Sequence, residues 1–193
     1  MRKNIERVSL RNAQTILAAA LLCLLIPAAA AAAQENPIMG HSQHMYGGVK
    51  YILLSSAEKM PEEDYSFRPT DSVRSFGEII GHLADSQYGF CSVVLGEKSP
   101  GLKIEKTKAS KADLIAALKE ACAYCERAYK SLTDASAADT VKLFGSDHPK
   151  LGVLTVNTVH SIEHYGNLVT YLRMKNIVPP TSEPGFMARA TKK

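Results

Sequence analysis

Apolar residues recur at three- and four-residue spacing in four separate stretches of the chain, with turn-forming residues between them. That period marks helices with one buried face. The first stretch runs from about His41 to Met60, with Met45, Val49, Ile52, Leu53 and Met60 on its apolar side and Gly47-Gly48 weakening its start. Pro61 breaks it, and Phe67-Arg68-Pro69 continues as a loop, because proline disfavours α conformation in the residue before it. The second helix opens at Ser75-Phe76-Gly77-Glu78, a capping box in which the Ser oxygen and the Glu carboxylate each satisfy a backbone N–H of the other. Its apolar members are Phe76, Ile79, Ile80, Leu83, Phe90, Val93 and Val94, and Gly96 suits its C-terminal cap. Ser99 to Ala109 is a connection. Ser110 then starts a third helix whose stripe is Leu114, Leu118, Ala121, Cys125, Ala128 and Leu132. Thr133 to Gly145 is expected to be a loop, with Val141-Lys142-Leu143-Phe144 as the sole, short strand candidate. The fourth helix covers about Lys150 to Lys175, with Asn176 as its cap and Pro179-Pro180 preventing continuation. Four one-faced helices of this length predict an all-α four-helix bundle.

The N-terminus reads differently. Arg2, Lys3, Arg7 and Arg11 precede an apolar run from Ile16 to Ile26, and Ala31-Ala32-Ala33 offers a small-residue cleavage site before Gln34. This is the pattern of a secretory signal peptide over residues 1–33. Its apolar core is shorter than the roughly 20 residues a membrane span needs, so no stable span is expected after processing. The expected layout is a linker over 34–44, a bundle over 45–182 and a polar tail over 183–193. The net charge of +4 includes four Lys/Arg and one Glu of the leader, so the remainder carries about +1. Without a basic stripe, a nucleic-acid partner is disfavoured. Export implies an oxidising compartment, the periplasm or the exterior. Of the three remaining cysteines, Cys91 and Cys125 are the favoured pair, stapling two packed helices, with Cys122 a buried small side chain. Three free thiols are the alternative. The Cys122-x-x-Cys125 spacing lies mid-helix, which argues against a thioredoxin-like or zinc role.

Chemistry is concentrated in the histidines. His160 and His164 stand four residues apart, one above the other on a single helix face. His82, in Gly81-His82-Leu83-Ala84-Asp85, touches the stripe of the second helix. Three neutral imidazoles from two facing helices can hold a divalent metal with positions left open. Three histidines in one core cost desolvation unless each is hydrogen-bonded or metal-bound. Their second nitrogens need partners, for which Glu163, Asp85, Asn157 or a backbone carbonyl are candidates. Position 161 is Ser, so the pair is not the HExxH of metalloproteases. Glu163 is either such a partner or a surface charge. His41, His44 and His148 are expected in solvated or capping roles, with His44 the one that the first helix could aim at the site.

The segments Arg74-Ser75-Phe76-Gly77-Glu78-Ile79-Ile80-Gly81-His82-Leu83-Ala84-Asp85 and His160-Ser161-Ile162-Glu163-His164-Tyr165-Gly166-Asn167-Leu168-Val169-Thr170-Tyr171-Leu172-Arg173, followed by Pro179-Pro180, resemble the DinB-like superfamily. The likeness covers roughly Met45 to Ser182. It implies a four-helix bundle in which His82, His160 and His164 bind a divalent metal, zinc before nickel. It also implies a metal-dependent hydrolase or a transferase using a low-molecular-weight thiol. Such thiols are chiefly cytosolic, and the export signal sets this chain apart from those transferases. Glu163, Asp85 and Tyr165 are the candidate acid–base residues. The partner is a small molecule of unassigned identity, and a homodimer is compatible with the sequence. The competing reading is a metal- or small-ligand-binding module without turnover.

Overall fold

The structure, a computed structural model, describes residues 36–186. The expected signal peptide and the last seven residues of the tail lie outside them. Four long helices form the bundle: α1 (Pro37–Lys59), α2 (Phe76–Leu95), α4 (Lys111–Ser131) and α5 (Lys150–Met174). Two smaller features interrupt the expected loops. A four-residue helix, α3 (Ile104–Thr107), lies between α2 and α4, and an antiparallel hairpin, β1 (Thr140–Leu143) with β2 (Ser146–Pro149), precedes α5. Among the described residues no helix is long and apolar enough to cross a membrane.

The helix starts follow local chemistry where the cap is local. Ser75 accepts from the Glu78 amide at 3.2 Å and its own N–H donates to the Glu78 carboxylate at 2.7 Å. Gly96 closes α2 with φ of 68°, in the left-handed region glycine favours. Ser110 caps α4 in the same way as Ser75, without the reciprocal carboxylate. The start of α1 corrects the sequence reading. Residues 37–44, taken as linker and helix edge, are helical, with Pro37 at the first position. The amides of Ile38 and Met39 donate to the Asp134 carboxylate at 3.1 and 2.8 Å, so this cap comes from the turn just after α4.

The core has two regions. One centres on Leu53, Phe76, Ile80, Leu83, Leu118 and Leu168. The other includes Met39, Tyr46, Cys91, Cys125, Tyr129 and Leu154. Met45, expected inside, is exposed, and Tyr46 takes the inward position. Its ring stacks on Tyr129 with centroids 4.1 Å apart. Its hydroxyl donates to Gln87 Oε1 at 2.9 Å. Gln87 in turn donates to Ser161 at 3.0 Å and accepts from Asn157 at 3.1 Å. These bonds offset most of the desolvation cost of the buried polar groups, although Asn157 Oδ1 is left without a partner. Cys91 and Cys125 form a disulfide joining α2 to α4, with Cα atoms 5.2 Å apart. Cys122 is a free, buried thiol whose pKa burial pushes up to about 11. The end of the bundle and the first residue of the tail are tied down: the Thr181 amide donates to the Tyr165 hydroxyl at 3.1 Å, and Glu183 pairs with Lys59.

Candidate metal centre

The site is built where α2 and α5 face each other near the capped start of α2. His82, one and a half turns into α2, meets His160 and His164 from successive turns of α5. One ligand atom from each lies within 4.8 Å of the other two. His82 Nε2 and His160 Nε2 are 3.2 Å apart. Two nitrogens at the usual zinc distance of about 2.05 Å in tetrahedral geometry stand about 3.3 Å apart. That pair is therefore already at the separation of two ligands on one ion.

What orients His82 is a residue the sequence reading missed. Its Nδ1 lies 3.1 Å from Glu105 Oε2. A carboxylate only accepts, so the ring proton sits on Nδ1 and the Nε2 lone pair is left facing His160. Glu105 Oε1 in turn accepts from Arg74 Nε at 2.9 Å. Carboxylate–histidine pairs of this kind fix the tautomer of metal-binding histidines. Glu105 reaches the ring because α3 packs directly on α2. Gly81 permits that approach: a Cβ there would stand 2.6 Å from Glu105 Cα and 2.8 Å from Glu105 N. Asp85 holds the other end. Its two oxygens accept from the amides of Ile104 and Glu105 at 2.9 and 3.0 Å, capping the short helix.

The remaining rings are placed by burial. His164 is 8 % exposed, with Nδ1 3.3 Å from the Asn167 side-chain amide. The near amide atom is Nδ2, which donates to the Nδ1 lone pair and leaves the ring proton on Nε2; with the amide turned about, its oxygen accepts from Nδ1–H and Nε2 is freed. His160 packs edge-on against Phe90 at 5.6 Å, and its buried Nδ1 has no hydrogen-bond partner. Burial, then the neighbouring His82, lowers the pKa of His160. Burial, then His160 and His82, takes that of His164 down to about 4. Both rings are thus neutral at pH 7 and present lone pairs, the protonation state metal binding requires.

A cavity of about 860 Å³ opens beside His164, with Arg68, Arg74, Glu163, Asn167 and Tyr171 among its walls. Of the three acid–base candidates, Glu163 alone lines it. Asp85 has both oxygens committed to α3, and Tyr165 directs its hydroxyl to Thr181 Oγ1 at 2.8 Å. Asn157 belongs to the Gln87 network and reaches none of the three histidines. His44 is exposed on α1 and does not line the cavity, and His148 pairs across the hairpin with Val141.

A bundle with three convergent imidazoles between two of its helices defines a class of helical proteins with a potential metal centre. Residues 50–168, a span that includes all three histidines, match the family model of the DinB superfamily, and the chain belongs to that superfamily. Among its relatives is the uncharacterized protein YjoA of Bacillus subtilis (strain 168). It is 24 % identical over 143 residues, which cover 72 % of this chain and 90 % of YjoA. The crystal structure of YjoA, described as a DinB-like protein, superimposes with a TM-score of 0.58 at 22 % identity, covering 70 % of this chain and 92 % of that one. A DinB-like protein from Bacillus cereus ATCC 10987 gives a TM-score of 0.62 at 15 % identity, covering 70 % and 91 %. At these identities the likeness speaks to the fold.

Proposed function

We propose that this chain is an exported DinB-superfamily protein that binds a divalent metal, zinc before nickel, through His82, His160 and His164. We further propose that it acts as a metal-dependent hydrolase or transferase on a small molecule. The observation that carries the reading is the 3.2 Å approach of His82 Nε2 to His160 Nε2, with the His82 lone pair turned inward by Glu105. Three ligands of one tetrahedral ion leave a position open. A metal held there supplies Lewis acidity to a water, thiol or carbonyl that reaches that position. The chain's own groups supply the rest. Glu105 and Arg74 hold His82 in one tautomer, Asn167 contacts His164, and Glu163 lines the cavity wall as the carboxylate available to move a proton. Arg74, with one nitrogen spent on Glu105, brings positive charge to the same wall.

The leader over residues 1–33 supports export, and the Cys91–Cys125 disulfide accords with an oxidising compartment. A second reading, binding without turnover, draws on a specific observation: two of the three acid–base candidates are engaged elsewhere. The test is metal analysis of the purified mature protein, followed by a panel of hydrolase and thiol-transfer assays. One equivalent of zinc or nickel is expected, with loss of uptake on triple alanine substitution of the histidines. A triple variant that keeps its metal would sink the assignment. A metal-loaded wild type inactive across the panel, while Glu163→Gln leaves ligand binding unchanged, would favour the second reading.

A further inference from the structure

A second cavity, of about 360 Å³, lies between α2 and the hairpin. Its floor is the face of α2 that continues from His82: Ser86, Gly89, Phe90 and Val93. Leu143 and Phe144 form its roof. Phe90, its side wall, also packs on His160 at 5.6 Å, so one ring separates the cavity from the metal centre, and none of the three histidines lines it.

Three features of this cavity work against the stability of the free protein. Phe144 occupies the first of the two turn positions of the hairpin, with φ of 49°, and Gly145 follows at 82°. Such a type I′ turn favours Asn-Gly, and a phenylalanine in the left-handed region is strained. The same ring is 85 % exposed. Gly89 sits in the interior of α2, where glycine is a poor helix former, yet a Cβ there would meet nothing within 4 Å. So neither the turn nor the helix needs these residues. What they jointly create is an open apolar slot, with the Phe144 and Phe90 rings edge to face at 6.2 Å. The one charged wall residue, Lys142, pairs with Asp147 across the hairpin at 2.8 Å, so no unpaired charge faces the slot. Local rules broken without a structural gain mark functional positions.

We propose that this slot binds an uncharged apolar group, an aromatic ring or a medium-length acyl chain. The volume suits one such group, since an apolar cavity of about 150 Å³ already holds benzene. The slot does not rest on the metal reading above.

The test uses the full mature chain, metal-free, and N-phenyl-1-naphthylamine, a neutral apolar fluorophore. Wild type should bind it with enhanced, blue-shifted emission. Gly89→Leu, which fills the slot, and Phe144→Asn, which removes its roof while suiting the turn, should each weaken binding at least tenfold. Both variants should melt no lower than wild type and take up zinc as wild type does. Failure of wild type to bind, or unchanged binding by Gly89→Leu, overturns the proposal. So does a wild-type dimer in sedimentation that Phe144→Asn converts to monomer, since a second copy would then cover the slot.

Discussion

Gly81→Ala should damage the metal centre without touching a ligand. The added Cβ would stand 2.6 Å from Glu105 Cα and 2.8 Å from Glu105 N. Relief to an ordinary carbon–carbon contact of about 3.5 Å moves α3 outward by roughly 0.9 Å. The His82–Glu105 contact, now 3.1 Å, would open toward about 4 Å, past hydrogen-bond reach. The neighbouring backbone offers no slack, since Asp85 pins both amides of that turn. Overpacking of this kind costs about 1–3 kcal/mol. Alanine returns about 1 kcal/mol as the better helix former. The net loss of about 0–2 kcal/mol lowers the melting temperature by at most about 8 °C for a domain of this size. Zinc affinity should fall about 10- to 100-fold, the usual effect of losing a ligand's orienting partner. Gly89→Ala is the control. It lies two turns further along the same helix, meets no atom within 4 Å, and should raise stability while leaving zinc binding unchanged. Calorimetric zinc titration and thermal melts of both variants decide the matter. A Gly81→Ala protein that binds zinc as tightly as wild type would refute the account of how His82 is held.

Glu105→Ala should reproduce the 10- to 100-fold loss of zinc affinity with little change in melting temperature, measured by competition with a chelating dye. In the metal-free protein, the lowered pKa values of His160 and His164 mean that the unfolded chain binds more protons than the folded one below its ordinary histidine pKa. Stability from these two rings is complete above about pH 6.5 and is lost as the pH falls toward 4. Melts from pH 7 to pH 4 should show this, and His164→Asn should flatten the slope. Removing the disulfide by Cys91→Ala with Cys125→Ala opens a loop with a sequence separation of 34 and should cost about 3–4 kcal/mol in denaturant titration. Asp134→Ala should fray the start of α1 at a cost of about 0.5–2 kcal/mol, with faster amide exchange at Ile38 and Met39.

The features legible from the sequence are those whose causes are local. The Ser75–Glu78 box and the Gly96 cap each involve residues within four positions of one another, and the α2 boundaries follow from them. The apolar period of α4 and α5 is likewise written in adjacent turns. The start of α1 was not legible, because its cap is Asp134, 95 positions away. The first strand of the hairpin was visible as the short Val141–Phe144 candidate, but its pairing was hidden because the turn carries Phe144 where turn chemistry calls for Asn or Gly. The histidines could be named from spacing, since two of them share a helix face and the third sits on a buried stripe. Their partner could not, because Glu105 lies in a polar connection with no period, and only the packing of α3 on Gly81 brings it to His82.

The same distinction bears on which residues could carry chemistry. Asp85 is three residues from His82 in sequence, which made it a natural partner by proximity, yet it acts one step removed. By capping α3 it fixes the backbone from which Glu105 reaches the ring. Asp85→Ala should therefore mimic Glu105→Ala in zinc affinity but also loosen α3, which Glu105→Ala should not. Amide exchange at Ile104 and Glu105 separates the two. Faster exchange in Asp85→Ala with unchanged zinc binding would mean that α3 can move without disturbing His82, and Glu105 would lose its claim to orient the site.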